Sequence, residues 1–504
     1  MLESCHLPSS LRFHPVDVRN QGTFPFESSI RHRQRYNHFM LSRRSFAAGL
    51  FAAPLAAAPP SNPADLTVGE AVGLLRQRKL TPVELNQACA NRIERLNPRL
   101  KAIITFLADH AVATAKALRA QSAGEQTLHG IPIALKDLFD TAGVRTTAAS
   151  AQWLDRVPTT DALVVKRLQA AGAVIVGKAN MDEFAYNFTS ETSVFGAAHN
   201  PWNPDCSPGG SSGGSAIAAA SGMCLAALGS DTGGSIRLPA AFCGITGFKP
   251  SYSRVPTEGV APLAWSLDHV GPMARTARDA ALLHGILWGK PISLQPVKQL
   301  RLGLARNPYW QGLDGDVERA MNAAAEAMKR FTREVRDVQL PALPEAAGAP
   351  LPKTYSTVIY SEAYAFHREM LARNPDHYHA GTRMSIELGK PIGAADYILE
   401  RREMERLRVT AKAVLFKDVD VLITPTAPGP AFKLGSQPSL VFLRNTAPWN
   451  LYGLPTISIP CGFSQSGLPI GLQITGAPDR DETVLSLAAA FQDETDFHRR
   501  RPVL

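Results

Sequence analysis

Two glycine-serine clusters constrain this chain more than any other stretch: Pro208-Gly-Gly-Ser-Ser-Gly-Gly-Ser215 and, downstream, Gly229-Ser-Asp-Thr-Gly-Gly-Ser-Ile-Arg237. Each glycine pair delivers a serine on backbone that no side chain obstructs, because only glycine enters φ > 0 and close-approach conformations cheaply. A flexible connector would be polar on both sides. Here Ala216-Ile-Ala-Ala-Ala220 follows the first cluster and Cys224-Leu-Ala-Ala-Leu228 precedes the second, so both clusters read as parts of a site set in a core.

Upstream, Gly130-Ile-Pro-Ile-Ala-Leu-Lys-Asp137 is a short apolar run bounded by Gly and Pro, the pattern of an interior strand. Its lysine, Lys136, would stand at the strand end, where partial burial disfavours the ammonium form and leaves an amine able to act as a base. A lysine in that position is otherwise an ordinary solvated end.

Two further motifs are weaker. Gly209-Gly-Ser-Ser-Gly213 and Gly210-Ser-Ser-Gly-Gly214 both satisfy Gly-x-Ser-x-Gly, a nucleophile elbow that needs a strand directly before it and a histidine partner. Asn203-Pro-Asp-Cys-Ser-Pro208 cannot make a central strand, since proline lacks the ladder N–H. The late histidines His377, His379 and His498 lie in polar, unpatterned surroundings. Gly172-Ala-Val-Ile-Val-Gly-Lys178 approaches a phosphate-binding loop, but Ala179 stands where a Mg²⁺-binding hydroxyl is required and Ala-Val-Ile-Val is a buried strand, so the stretch reads as core.

Lys136, Ser211 in the first cluster and Ser235 in the second have the order and spacing found in the amidase signature family of serine hydrolases, which this chain resembles. The likeness is strong from about Leu66 to Thr276, returns from Val421 to Ala477, and is weak between Gly289 and Val414, so it implies no substrate choice. It does imply a large single-domain α/β/α fold, layered around a mixed central sheet. It also implies hydrolysis of a carboxylic amide through an acyl-enzyme: an amide has a poor electrophile and a poor leaving group, so the site must supply a nucleophile, oxyanion stabilisation and a proton. By the resemblance Ser235 is the nucleophile, Ser211 the bridging serine after a cis bond from Gly210, and Lys136 the base. The backbone N–H groups of Thr232, Gly233, Gly234 and Ser235 are the expected oxyanion donors. Asp231 and Arg237 are expected to brace this turn as an ion pair. Ala179-Asn-Met-Asp-Glu-Phe184 resembles the family's loop on the substrate side, where Phe184 and Tyr186 either line an acyl pocket or simply pack. No step calls for a metal or a cofactor.

The N-terminal region reads differently. Residues 1–39 show no periodicity and read as an untranslated or disordered leader. Met40-Leu-Ser-Arg-Arg-Ser-Phe46, followed by an apolar run to Ala58, resembles a twin-arginine export signal over 40–58, too short for a stable membrane anchor. Export to the periplasm or beyond is therefore expected, with the enzyme domain over 64–504. The first 58 residues hold seven Lys/Arg against three Asp/Glu and carry +4 of the +9 net charge, so the remainder is a mildly basic enzyme surface and not a nucleic-acid footprint. None of the six cysteines forms a Cys-x-x-Cys pair, which indicates free thiols.

Along the chain, Thr81-Pro-Val-Glu84 predicts a capped helix start. Strands are expected at Ala102 to Phe106, Ile131 to Leu135, Leu300 to Ala305, Val421 to Thr426, Thr456 to Ile459 and Ile470 to Ile474. Helices are expected at Ala111 to Gln121 and Val317 to Phe331, a surface loop at Leu340 to Pro352, and a solvated helix face at Glu400 to Arg408. The expected partner is a small-molecule amide substrate; nucleic acid is not expected, and a homodimer is allowed. Two alternatives stay open. One is a protein resembling the A-component of tRNA-dependent glutamine amidotransferase, which generates ammonia for a partner. The other is a non-catalytic binding protein on the same scaffold.

Overall fold

Helix starts follow local chemistry. Thr81 Oγ1 accepts the Glu84 N–H at 3.2 Å while the Glu84 carboxylate accepts the Thr81 N–H at 2.8 Å, and with proline at the first helical position the helix Pro82–Leu100 begins as expected. Leu85, Cys89, Ile93 and Leu96 form its buried stripe. The computed structural model describes residues 62–119, 126–347 and 349–504, which lie in one compact unit. The leader and export signal expected over 1–58 fall outside the described residues. So does Gln121, the expected end of a helix observed as Ala108–Arg119.

Eleven strands form one sheet: β1 (Ile103–Phe106), β2 (Pro132–Lys136), β3 (Val174–Ala179), β4 (Ala226–Asp231), β5 (Thr246–Lys249), β6 (His269–Ala274), β7 (Arg301–Ala305), β8 (Glu334–Val338), β9 (Val421–Pro425), β10 (Thr456–Phe463) and β11 (Pro469–Gly476). Their order is β1-β3-β2-β4-β6-β5-β10-β11-β9-β7-β8. The strands β3, β2 and β4 are mutually parallel, as are β8, β7 and β9, and antiparallel pairs join these groups into a mixed sheet. Helices cover both faces. In β2, Ile133 and Leu135 pack with residues of the helices Leu163–Ala170 and Ala277–Trp288, while Ala134 packs with the helix Gly213–Ser221. A parallel strand buried on both faces has a continuous apolar sequence, which is why Ile131 to Leu135 reads as an unbroken run.

The single α/β domain is thus the one expected, with strand ends shifted by a residue or more, most at β10 and β11. Val174–Ala179 is a fully buried strand, so the stretch resembling a phosphate loop is core. Glu400 to Arg408 is not simply solvated: Met404 and Leu407 are buried, and Arg408 donates to the Leu451 carbonyl at 3.0 Å and the Ser266 carbonyl at 2.7 Å. The expected helix at Val317 to Phe331 is Gly315–Lys329. Cys89, Cys206, Cys224, Cys243 and Cys461 are buried free thiols. Among the described residues no helix is long and apolar enough to cross a membrane.

Candidate active site

Three parallel strands end side by side at the site: Lys136 closes β2, Ala179 closes β3 and Asp231 closes β4. Carboxyl ends of parallel strands are where open α/β sheets place their ligands. Ser211 lies in the loop before the helix Gly213–Ser221, after a cis Gly210–Ser211 peptide as expected. A Cβ on Gly210 would collide with the Asp182 carboxylate and the Phe188–Thr189 backbone, so this approach is open to glycine alone. No strand directly precedes the loop, and none of His377, His379 and His498 is hydrogen-bonded to either serine cluster, which removes the elbow reading.

Lys136 is completely buried. Its Nζ lies 2.7 Å from Ser211 Oγ and 2.8 Å from Ser230 Oγ. Burial pulls its pKa down to about 7, against the opposing charges of Asp182, Asp231 and Asp268. Asp137, its neighbour in sequence, is turned away. It accepts the Thr147 N–H at 2.9 Å and stands 3.9 Å from the buried Lys178.

The two serine clusters meet through backbone, with the Ser212 N–H donating to the Ser235 carbonyl at 3.2 Å. Lys136 is joined to Ser211 and no hydrogen bond joins the Ser211 and Ser235 hydroxyls, so the first link of the expected relay is made and the second is not. Catalytic hydrogen bonds in free enzymes are often long and tighten only around substrate.

Of the four expected oxyanion donors, Thr232, Gly233 and Ser235 have N–H groups with no acceptor among the described residues. Gly234 departs from the expectation: its N–H donates to Asp231 Oδ1 at 2.9 Å, because a carboxylate at the start of a tight turn captures the amides of that turn. Gly234 has φ +136°, and a Cβ there would strike Thr446.

Asp231 and Arg237 form the expected pair, both fully buried and 2.8 Å apart. The guanidinium also donates to Asn450 Oδ1 (2.6 Å), Gln473 Oε1 (2.8 Å) and the Thr446 carbonyl (3.0 Å). Burial pushes the Asp231 carboxyl up, but the Arg237 charge and its hydrogen bonds outweigh it and hold the acid well below the usual carboxylate range. The pair therefore fixes the turn that carries Ser235.

Several site residues escaped the sequence reading. Ser230, the second hydroxyl on Lys136, sits inside the quoted cluster and could have been suspected from it. Asp182 accepts the N–H groups of Ser190 and Glu191 and donates its own to the Ser211 carbonyl at 3.2 Å, fixing the loop that faces Gly210. Tyr355, in the helix Lys353–Arg373, presses on the oxyanion turn: a side chain on Gly233 would run into its hydroxyl. Nothing local marks it. Of the two aromatic residues expected near substrate, Phe184 is packing, buried edge-on against Trp153 and His367 at 4.9 and 4.6 Å. The Tyr186 hydroxyl is spent on the Ser385 carbonyl at 3.1 Å.

Comparison with known proteins supports the family resemblance. The family model described as Amidase matches residues 84–485, running through the middle segment where the resemblance looked weak. The A-component of glutamyl-tRNA(Gln) amidotransferase from Geotalea daltonii is 39% identical over 482 residues, covering 87% of this chain and 99% of that protein. A solved structure described as an amidase superposes with a TM-score of 0.79 at 35% identity, covering 85% of this chain and 99% of the other. The solved A-component of glutamyl-tRNA(Gln) amidotransferase from Thermotoga maritima has a TM-score of 0.71 at 31% identity, covering 88% and 98%.

Proposed function

The chain belongs to the amidase family, and from that premise we propose that it hydrolyses a carboxylic amide C–N bond through an acyl-enzyme on Ser235. The observation that carries this reading is a fully buried amine 2.7 Å from the hydroxyl of Ser211, whose burial lowers its pKa to about 7. Neutral Lys136 takes the Ser211 proton as Ser211 takes that of Ser235. The Ser235 oxygen then bonds to the carbonyl carbon, and the resulting oxyanion meets the N–H groups of Thr232, Gly233 and Ser235. On collapse the C–N bond breaks and the relay, run in reverse, protonates the departing nitrogen. Water attacks the acyl ester by the same route, releasing the acid and restoring Ser235. The Ser211 and Ser235 hydroxyls must come together for this.

A second reading is favoured by the names of the relatives, which are amidotransferase A-components matched over nearly their full length. In it the same chemistry releases ammonia from an amide for a partner protein. For an exported hydrolase speak Arg43-Arg44 and the apolar run behind them, which would separate the chain from any tRNA partner.

Two measurements divide these readings. The purified chain is expected to release ammonia or an amine from simple amides with no second protein and no ATP. Turnover that required a second protein and charged tRNA would establish the ammonia-generating reading instead. In fractionated cells, changing Arg43→Lys together with Arg44→Lys is expected to retain the protein in the cytoplasm, and undiminished export would remove the signal assignment.

A further inference from the structure

Beside the oxyanion turn lies a pocket of about 130 Å³. The segment leading into β6 supplies most of its wall through Val260, Ala261, Pro262, Leu263 and Trp265, and Ala185 faces it from the turn after β3. Two wall residues tie it to the reacting centre. Ser230 is 2.8 Å from Lys136 Nζ, and Asp268 accepts the Thr232 hydroxyl at 2.7 Å, next to the first oxyanion donor.

The polar groups of the wall are largely occupied. Asp268 also accepts the N–H groups of Leu263 and Ala264, and His269 Nδ1 lies 2.6 Å from the Leu267 carbonyl. The His269 Nε2 has no partner among the described residues, and it sits on a ring whose pKa burial lowers well below the usual value, so that it presents a neutral acceptor. None of the lining side chains is a lysine or an arginine. One wall residue is aromatic: Trp265, 52% exposed, which meets Phe366 edge-on at 6.3 Å.

We propose that this pocket holds one substituent of the scissile amide, and that the substituent is a compact apolar group of the size of a phenyl ring or a branched four-carbon chain. An apolar cavity of ~150 Å³ is large enough to take up benzene. The apolar part of the wall, Ala185, Val260, Ala261, Pro262, Leu263 and Trp265, favours such a group in proportion to the area it removes from water. The α-carboxylate of an amino-acid amide would be buried there without a cation, which is costly. The proposal rests on the amide-hydrolase reading above and gives it a substrate class.

The test is kcat/KM of the purified chain on two series. In the first, primary amides carry methyl, isobutyl or phenyl on the acyl carbon; in the second, acetamides carry the same groups on nitrogen. One series is expected to rise about 10-fold or more from methyl to the larger groups, and the series that rises identifies the side of the bond in the pocket. Ala261→Phe, which fills the pocket, is expected to erase that preference. Leu263→Ala, which enlarges it, is expected to move the preference toward naphthyl. Flat series in a chain that does hydrolyse amides, or a preference that neither variant moves, overturns the pocket assignment and leaves the hydrolase reading standing. A chain that hydrolyses no amide alone, but releases ammonia from glutamine with a partner, overturns both.

Discussion

Lys136→Ala is expected to slow acylation by about 10²–10⁴-fold, the span that a positioned general base contributes, while the variant keeps its fold by circular dichroism. In the parent, kcat/KM should rise about tenfold per pH unit below a pKa near 7 and level off above it, because only the neutral amine accepts the proton. Burial is the main reason that pKa lies so low, and it works against three carboxylates. The residual activity of Lys136→Ala should lack this acidic limb, and Ser235→Ala should form no acyl-enzyme by mass spectrometry. A limb that survived in Lys136→Ala, or that followed a histidine substitution, would place the base elsewhere. The same shift has a stability sign. A lysine in the unfolded chain titrates near 10.5, so between about 7 and 10.5 the unfolded state holds a proton that the folded state has released. This group's contribution to stability therefore rises with pH across that window.

Arg237→Met is expected to be among the most destabilising single changes in the chain, costing about 3–5 kcal/mol. It removes the guanidinium bonded to Asp231 and leaves that carboxylate buried without its partner, together with the Asn450, Gln473 and Thr446 acceptors that Arg237 satisfies. The measurement is the midpoint of urea unfolding near pH 7. Because the folded pKa of Asp231 is depressed, the contribution of the pair is present above the ordinary carboxylate range and is lost only as the pH falls well below it. An unfolding midpoint within error of the parent would mean that the pair does not hold the turn. Activity should fall as well, since the Ser235 turn hangs on Asp231 through the Ile236 N–H at 3.1 Å.

Both predictions concern residues that were visible before any fold was known, and the reason is local. Lys136 ends an apolar run, Ser211 and Ser235 follow glycine pairs, and Asp231 and Arg237 flank the second pair, so each sits in a short pattern whose backbone demands name the residues. A capping box or a doubly buried strand is legible on the same ground, since its chemistry closes within a few residues.

What lay beyond the sequence depends on which strands become neighbours. Ser230 meets Lys136 because β2 and β4 pair in parallel. Tyr355 reaches the oxyanion turn from a helix more than a hundred residues downstream, and the pocket wall comes from the segment before β6. The sequence by itself determined the family of this protein and which residues are its candidates for nucleophile, base and oxyanion turn, because these are written as contiguous motifs. Tertiary structure alone decided that Asp137 serves Lys178 and not Lys136, and that Gly234 spends its N–H on Asp231. Those outcomes are set by which carboxylate lies nearest to which donor once the chain is packed, and that distance has no counterpart along the sequence.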